Sequence, residues 1–113
     1  METKGSEQAS ESTAVTAVKT EYAPDTAEAA ASGAWYAFFR AHRIFNQRIN
    51  IPVVPGSLLW VSLTECEPGS NTPFLGSATL HTYNVVPFDG YMLLRGEVDW
   101  DDDLLIRASI YIG

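Results

Sequence analysis

Leu104-Leu105-Ile106-Arg107-Ala108-Ser109-Ile110-Tyr111-Ile112 sets the fold class of this chain. Leu104, Ile106, Ala108, Ile110 and Ile112 form an unbroken apolar set at period two, with Leu105, Arg107, Ser109 and Tyr111 opposite them. That alternation predicts a strand with one face in a core. Upstream, Tyr91 to Val98 is a second strand, joined to it by the acidic turn Asp99-Trp100-Asp101-Asp102-Asp103. Residues 74–86 read as a third, with Ala78, Leu80 and Thr82 opposite Thr79, His81 and Tyr83, and Pro87-Phe88-Asp89-Gly90 turns it. Leu59, Val61 and Leu63 alternate with Trp60, Ser62 and Thr64 in a fourth, over residues 58–65. A fifth is expected over residues 44–51, before the crossing loop Pro52-Val53-Val54-Pro55-Gly56-Ser57.

Further toward the N-terminus the periodicity changes. Asp25 and Glu28 have the spacing of a capping box, Ala29 to Ala31 and Ala34 favour helix, and Trp35, Phe38, Phe39, His42 and Phe45 recur at three-and-four spacing. A helix is therefore predicted over about residues 26–42. A rival reading at period two runs through Phe39, Ala41, Arg43, Phe45, Gln47, Ile49 and Ile51, interrupted by Arg43 and Gln47. Residues 1–32 hold no Phe, Trp, Leu or Ile. Residues 1–23 are accordingly expected to form a disordered, acidic arm rich in Ser, Thr and Ala, ahead of a single β-rich domain over residues 24–113. The expected architecture is mainly β: a small antiparallel β-sandwich or partly open barrel with one N-terminal helix and a disordered arm. Because the last strand ends the chain and carries Arg107 as its sole charge, it is expected to be a bare sheet edge.

The chain of 113 residues carries a formal charge of −7, divided as −4 in residues 1–32 and −3 in residues 33–113. Its basic cluster is Arg40, Arg43 and Arg48 with His42, too small a positive surface for phosphate neutralisation, so no nucleic-acid partner is expected. No apolar run reaches the length of a membrane span, and the first residues lack a signal-peptide pattern, which gives the expectation of a soluble, cytoplasmic chain. A single cysteine closes no internal disulfide, and no cofactor is called for.

Several residue groups carry candidate chemistry. Asp99, Asp101 and Asp103 match the opening of a calcium loop, but Leu104 and Ile110 stand where that loop needs Gly and Glu, so the group is a weak metal candidate beside the plainer reading of a solvated turn. Trp100 within the turn either folds back over the core, the favoured reading, or meets a partner. Cys66 lies between Glu65 and Glu67, which should raise its pKa and leave it inert. His81 has no nucleophile motif with it, and no pairing of Glu65, Glu67 and Glu97 is evident in the sequence, so whether the chain is an enzyme is left open, with a non-enzyme preferred and no catalytic residue assigned.

Gln47-Arg48-Ile49-Asn50-Ile51-Pro52-Val53-Val54-Pro55-Gly56-Ser57-Leu58-Leu59-Trp60-Val61-Ser62-Leu63, with the later Pro87-Phe88 and Ile106-Arg107-Ala108-Ser109-Ile110, resembles the type III secretion lipoprotein chaperones, or pilotins, over about residues 44–112. The resemblance implies a β-sandwich and a chaperone-like role. The lipidated N-terminal cysteine of that family has no counterpart here, and the matched positions read as structural, so no functional residue is carried over.

The leading expectation for function is a non-enzymatic module that binds another protein or itself, including as a homo-oligomer, by strand addition at an exposed edge with Trp60, Trp100, Tyr111 and Arg107 as anchors. An alternative is a small-molecule binder or compact enzyme with a pocket between helix and sheet, lined by Trp35, Phe39, His81 and Glu97. A third is an acidic inhibitor of a basic partner.

Overall fold

The structure is a computed structural model in which residues 10–11, 13–20 and 32–113 are described. Among them there are nine strands and no helix: β1 Ser10–Glu11, β2 Val15–Thr16, β3 Val18–Lys19, β4 Gly33–Ala41, β5 Arg43–Asn50, β6 Leu59–Cys66, β7 Leu80–Pro87, β8 Tyr91–Val98 and β9 Leu104–Ile112. They form two sheets. The first has the order β1-β5-β8-β7 with β2 also on β5, and the second has the order β3-β4-β9-β6. Every pairing is antiparallel except those of β1 and β2 on β5.

Alternation builds the core. Ile106, Ala108, Ile110 and Ile112 of β9 and Ala37, Phe39 and Ala41 of β4 are buried in one cluster with Phe45 and Ile49 of β5 and Met92, Leu94 and Val98 of β8. The two sheets thus meet through their inner faces, and the Phe39 and Phe45 rings lie 5.3 Å apart across the interface. The chain passes from one sheet to the other at His42-Arg43, where Arg43 adopts φ 56°. Odd-numbered residues stay inward on both sides of that corner, so Phe39 and Ala41 are followed by Phe45, Gln47 and Ile49 in the interior.

The predicted helix over residues 26–42 is overturned. Its later part is β4, paired along its whole length with β9 from Gly33↔Ile112 to Ala41↔Leu104, while the Asp25–Glu28 capping box lies outside the described residues. The physical reason is that β4 is apolar on both faces. Trp35, Ala37, Phe39 and Ala41 point inward, and Ala34, Tyr36 and Phe38 lie on the outer face, so period-two alternation is erased and a helical spacing fits by coincidence. Intrinsic alanine propensity, a few tenths of a kcal/mol per residue, yields to the ladder on β9.

Three further expectations change. The arm expected to be disordered over residues 1–23 contributes β1, β2 and β3, which lie along the borders of both sheets; residues 1–9, 12 and 21–23 are outside the described set. Ala17, between β2 and β3, is buried, and its N–H donates to the Asn50 carbonyl at 2.9 Å. Gln47 holds the same segment from inside: fully buried, it donates through Nε2 to the Thr13 carbonyl at 2.6 Å. The last strand is no bare edge either, since β9 is flanked by β4 on one side and β6 on the other. The opposite borders of the two sheets are β6 and β7, and β7 carries a bulge between Thr82 and Asn84 and ends at Pro87, two features that discourage further pairing. Finally, Phe74 to Thr79 precedes β7 rather than belonging to it; the Phe74 N–H meets the Glu65 carbonyl at 3.0 Å and folds the connection onto β6.

Gly96 in β8 is required by close approach. A Cβ there would stand 2.6 Å from the His81 carbonyl oxygen and 2.9 Å from Phe45 Cζ. We expect Gly96→Ala to lower unfolding free energy by about 1–3 kcal/mol, through forced displacement of β7 and the Phe45 ring. Urea denaturation monitored by tryptophan fluorescence measures this, and a midpoint equal to wild type would contradict the packing described.

Candidate functional site

The outer face of the β3-β4-β9-β6 sheet is where the sequence-predicted anchors come together. Register places its residues in rows across β6, β9 and β4: Trp60, Tyr111 and Ala34; then Ser62, Ser109 and Tyr36; then Thr64, Arg107 and Phe38. Two aromatic pairs stand at opposite corners of this grid. Trp60 and Tyr111 have ring centroids 5.8 Å apart, and Tyr36 and Phe38 meet edge to face, also at 5.8 Å. Between them the small residues Ala34, Ser62 and Ser109 leave a trench, and the resulting groove has a volume of about 720 Å³. Trp60 and Tyr111 remain 57% and 51% exposed, more than sheet packing alone requires of such large rings.

Arg107 rises from β9 at the middle of this face, and its Nε donates to Ser109 Oγ at 3.2 Å. Its charge also acts on Cys66. The Cys66 side chain is 1% exposed beneath the 67–79 connection, where Cys66 bridges to Pro73. Burial pushes the thiol above its ordinary range, Arg107 opposes this, and Glu65 adds to it. The main cause is therefore burial rather than the flanking carboxylates.

Trp100 does not join this site. It sits on the β8–β9 turn, 42% exposed, beside a second, smaller hollow of about 300 Å³ lined by Arg43, Asp99, Asp101 and Asp102. The turn is therefore not folded over the core. Its carboxylates face cations of the β4–β5 corner: Arg43 donates to Asp99 at 3.1 Å and also to Asp101, and His42 Nδ1 bonds Asp103 Oδ1 at 2.5 Å. Thr79 adds a hydroxyl to Asp99, at 3.4 Å. Asp99, Asp101 and Asp103 thus tie two neighbouring corners together, and among the described residues no cluster of three metal-ligating side chains is found.

The alternative pocket does not assemble. Phe39 is buried in the core, and Trp35 packs against that core with the Lys19 ammonium 5.8 Å over its ring. His81 and Glu97 are opposite one another on β7 and β8 in the other sheet, and their side chains lie on its outer face. There His81 stacks on Tyr83 at 5.9 Å, and the Tyr83 hydroxyl donates to Glu97. That hydrogen bond, chiefly, raises the Tyr83 pKa. With no helix over the sheet among the described residues, these four side chains line no common cavity there.

Sequence reasoning missed Tyr36 and Phe38, because a helix was read where β4 lies. The available signal was a strand whose neighbours in sequence are apolar on both parities: one face belongs to the core and the other needs a different explanation.

Two measurements check the Cys66 environment. The native thiol should react with an aromatic disulfide reagent at pH 8 much more slowly than the urea-unfolded thiol. Because its folded pKa is raised, the neutral thiol's contribution to stability is complete below the unfolded value near 9.0 and is lost as pH rises through the higher folded value. Cys66→Ser should flatten that alkaline decline in the urea midpoint; an unchanged slope would contradict it.

No helix among the described residues is long and apolar enough to cross a membrane. No family model, curated protein or solved structure matches the chain.

Proposed function

We propose that this protein is a binding module that engages another protein through the outer face of the β3-β4-β9-β6 sheet. The observation that carries this reading is the convergence of Trp60, Tyr111 and Arg107 on one concave, largely apolar surface. These are the three residue types that dominate binding energy at protein interfaces, because a large ring or a guanidinium gains much from desolvation at little cost in conformational freedom. Tyr36 and Phe38 complete the apolar surround, and the hydroxyls of Ser62 and Ser109 supply polar groups at the floor.

This reading differs from strand addition at the chain's last strand, which is interior to its sheet. The face does the work instead, and the border strand β6 takes part through Trp60. A pocket enzyme is a weaker reading, since His81, Glu97 and the aromatic groove lie on different sheets.

Trp60→Ala and Tyr111→Ala are expected to weaken partner binding about tenfold or more each, while Trp100→Ala leaves it unchanged. The exposure of both rings keeps the thermal midpoint of the first two variants close to wild type. Equal binding by Trp60→Ala and wild type, or equal losses for Trp60→Ala and Trp100→Ala, would reject the assignment.

A further inference from the structure

We propose that the segment accepted on this face carries a single carboxylate flanked by apolar side chains, with the carboxylate on Arg107 and its neighbours on the Trp60–Tyr111 and Tyr36–Phe38 pairs. This rests on the protein-binding reading above and names the chemistry of its partner.

Charge is the first argument. Asp and Glu outnumber Lys and Arg fourteen to seven in the chain, yet among the described residues the groove is lined by Arg107 and by no carboxylate. Other arginines are engaged at home: Arg43 by Asp99 and Asp101, Arg48 over the Tyr91 ring at 3.7 Å, and Arg95 by Asn46 at 2.8 Å. Arg107 uses Nε on Ser109, and its two terminal amino groups have no hydrogen-bond partner among the described residues. A planar, half-buried guanidinium held through Nε presents those two groups as a fork, which matches a carboxylate in two-point geometry.

Shape and long-range field narrow the partner further. β4 and β6 stand two strand spacings apart, about 10 Å, so the rings rising from them flank a channel wide enough for one extended backbone. The apolar walls reward apolar neighbours of the acid. The net charge of −7 repels an acidic run, so one carboxylate in an apolar context suits the site better than a cluster.

The test uses the full chain and a displayed library of random twelve-residue peptides. Selection on wild type should yield peptides with one Asp or Glu between Phe, Leu, Pro or Trp residues, whose binding is lost on Trp60→Ala. In a synthetic copy of a selected peptide, exchange of the acid for its amide should weaken binding to wild type about tenfold, the size expected for a charged hydrogen-bonded pair. The same exchange should cost nothing measurable on Arg107→Gln, and Arg107→Lys should restore part of the dependence. Thermal unfolding of the Arg107 variants confirms that they are folded. Selected peptides that need Trp60 but show no preference for acid over amide, or the same preference on Arg107→Gln, overturn the carboxylate assignment and leave the binding face standing. Peptides whose binding ignores Trp60→Ala, or no selectable peptide, overturn the face itself and this inference with it.

Discussion

The position of β9 between β4 and β6 is the constraint on which the rest of the molecule depends. A strand paired on both sides has its backbone groups satisfied in the ladder and both of its faces committed. Its even-numbered set, Ile106 to Ile112, closes the core against β5 and β8. Its odd-numbered set, Arg107, Ser109 and Tyr111, forms the floor and one wall of the groove. Core and candidate site are therefore two sides of the same nine residues, and the cation at the site is held by a strand that cannot shift without disturbing the interior.

The N-terminal segment and the corner contacts serve that arrangement. β1 and β2 lie on β5 and β3 on β4, so one short stretch of chain borders both sheets on the same side. Each of these strands is only two residues long, and the ladder bonds they supply are few. The segment is secured largely by Ala17 in the core and by the Gln47 amide on Thr13. Gln47 Oε1 is buried without a hydrogen-bond partner among the described residues, so this anchor is tied by its donor side alone. On the opposite corner, Arg43 and His42 meet the acidic β8–β9 turn. These pairs are about half exposed and each contributes about 0–1 kcal/mol, so they fix the direction of the turn more than they hold the fold together.

The two outer faces differ in chemistry although the sheets are similar in size. The β5-β8-β7 face carries a polar, internally bonded set: Tyr83 on Glu97, Arg95 on Asn46, and Arg48 on Asn50 and the Tyr91 ring. Its charged groups are hydrogen-bonded or stacked where they stand. The β4-β9-β6 face carries rings at partial exposure and a guanidinium that meets no carboxylate among the described residues. A partner approaching the first face would have to break contacts already made, whereas the second offers unsatisfied groups and apolar area together, which is why the functional reading falls on the second.

The sequence by itself determined the β character of the chain's later half, because the alternation in Leu104 to Ile112 and in Leu59 to Leu63 is local and needs no knowledge of neighbours. It also placed Trp60, Tyr111 and Arg107 on the outward parity of those strands. Tertiary structure alone decided three things. It made β4 a strand, because the apolar outer face of residues 33–41 conceals the period that would identify it. It put β9 in the middle of a sheet, since strand order depends on long-range pairing that no local pattern encodes. And it separated Trp100 from Trp60 and Tyr111, and His81 and Glu97 from Trp35 and Phe39. Which residues share a surface is fixed by register and by the passage of the chain between sheets at His42-Arg43, and both are properties of the folded pair of sheets rather than of any single segment.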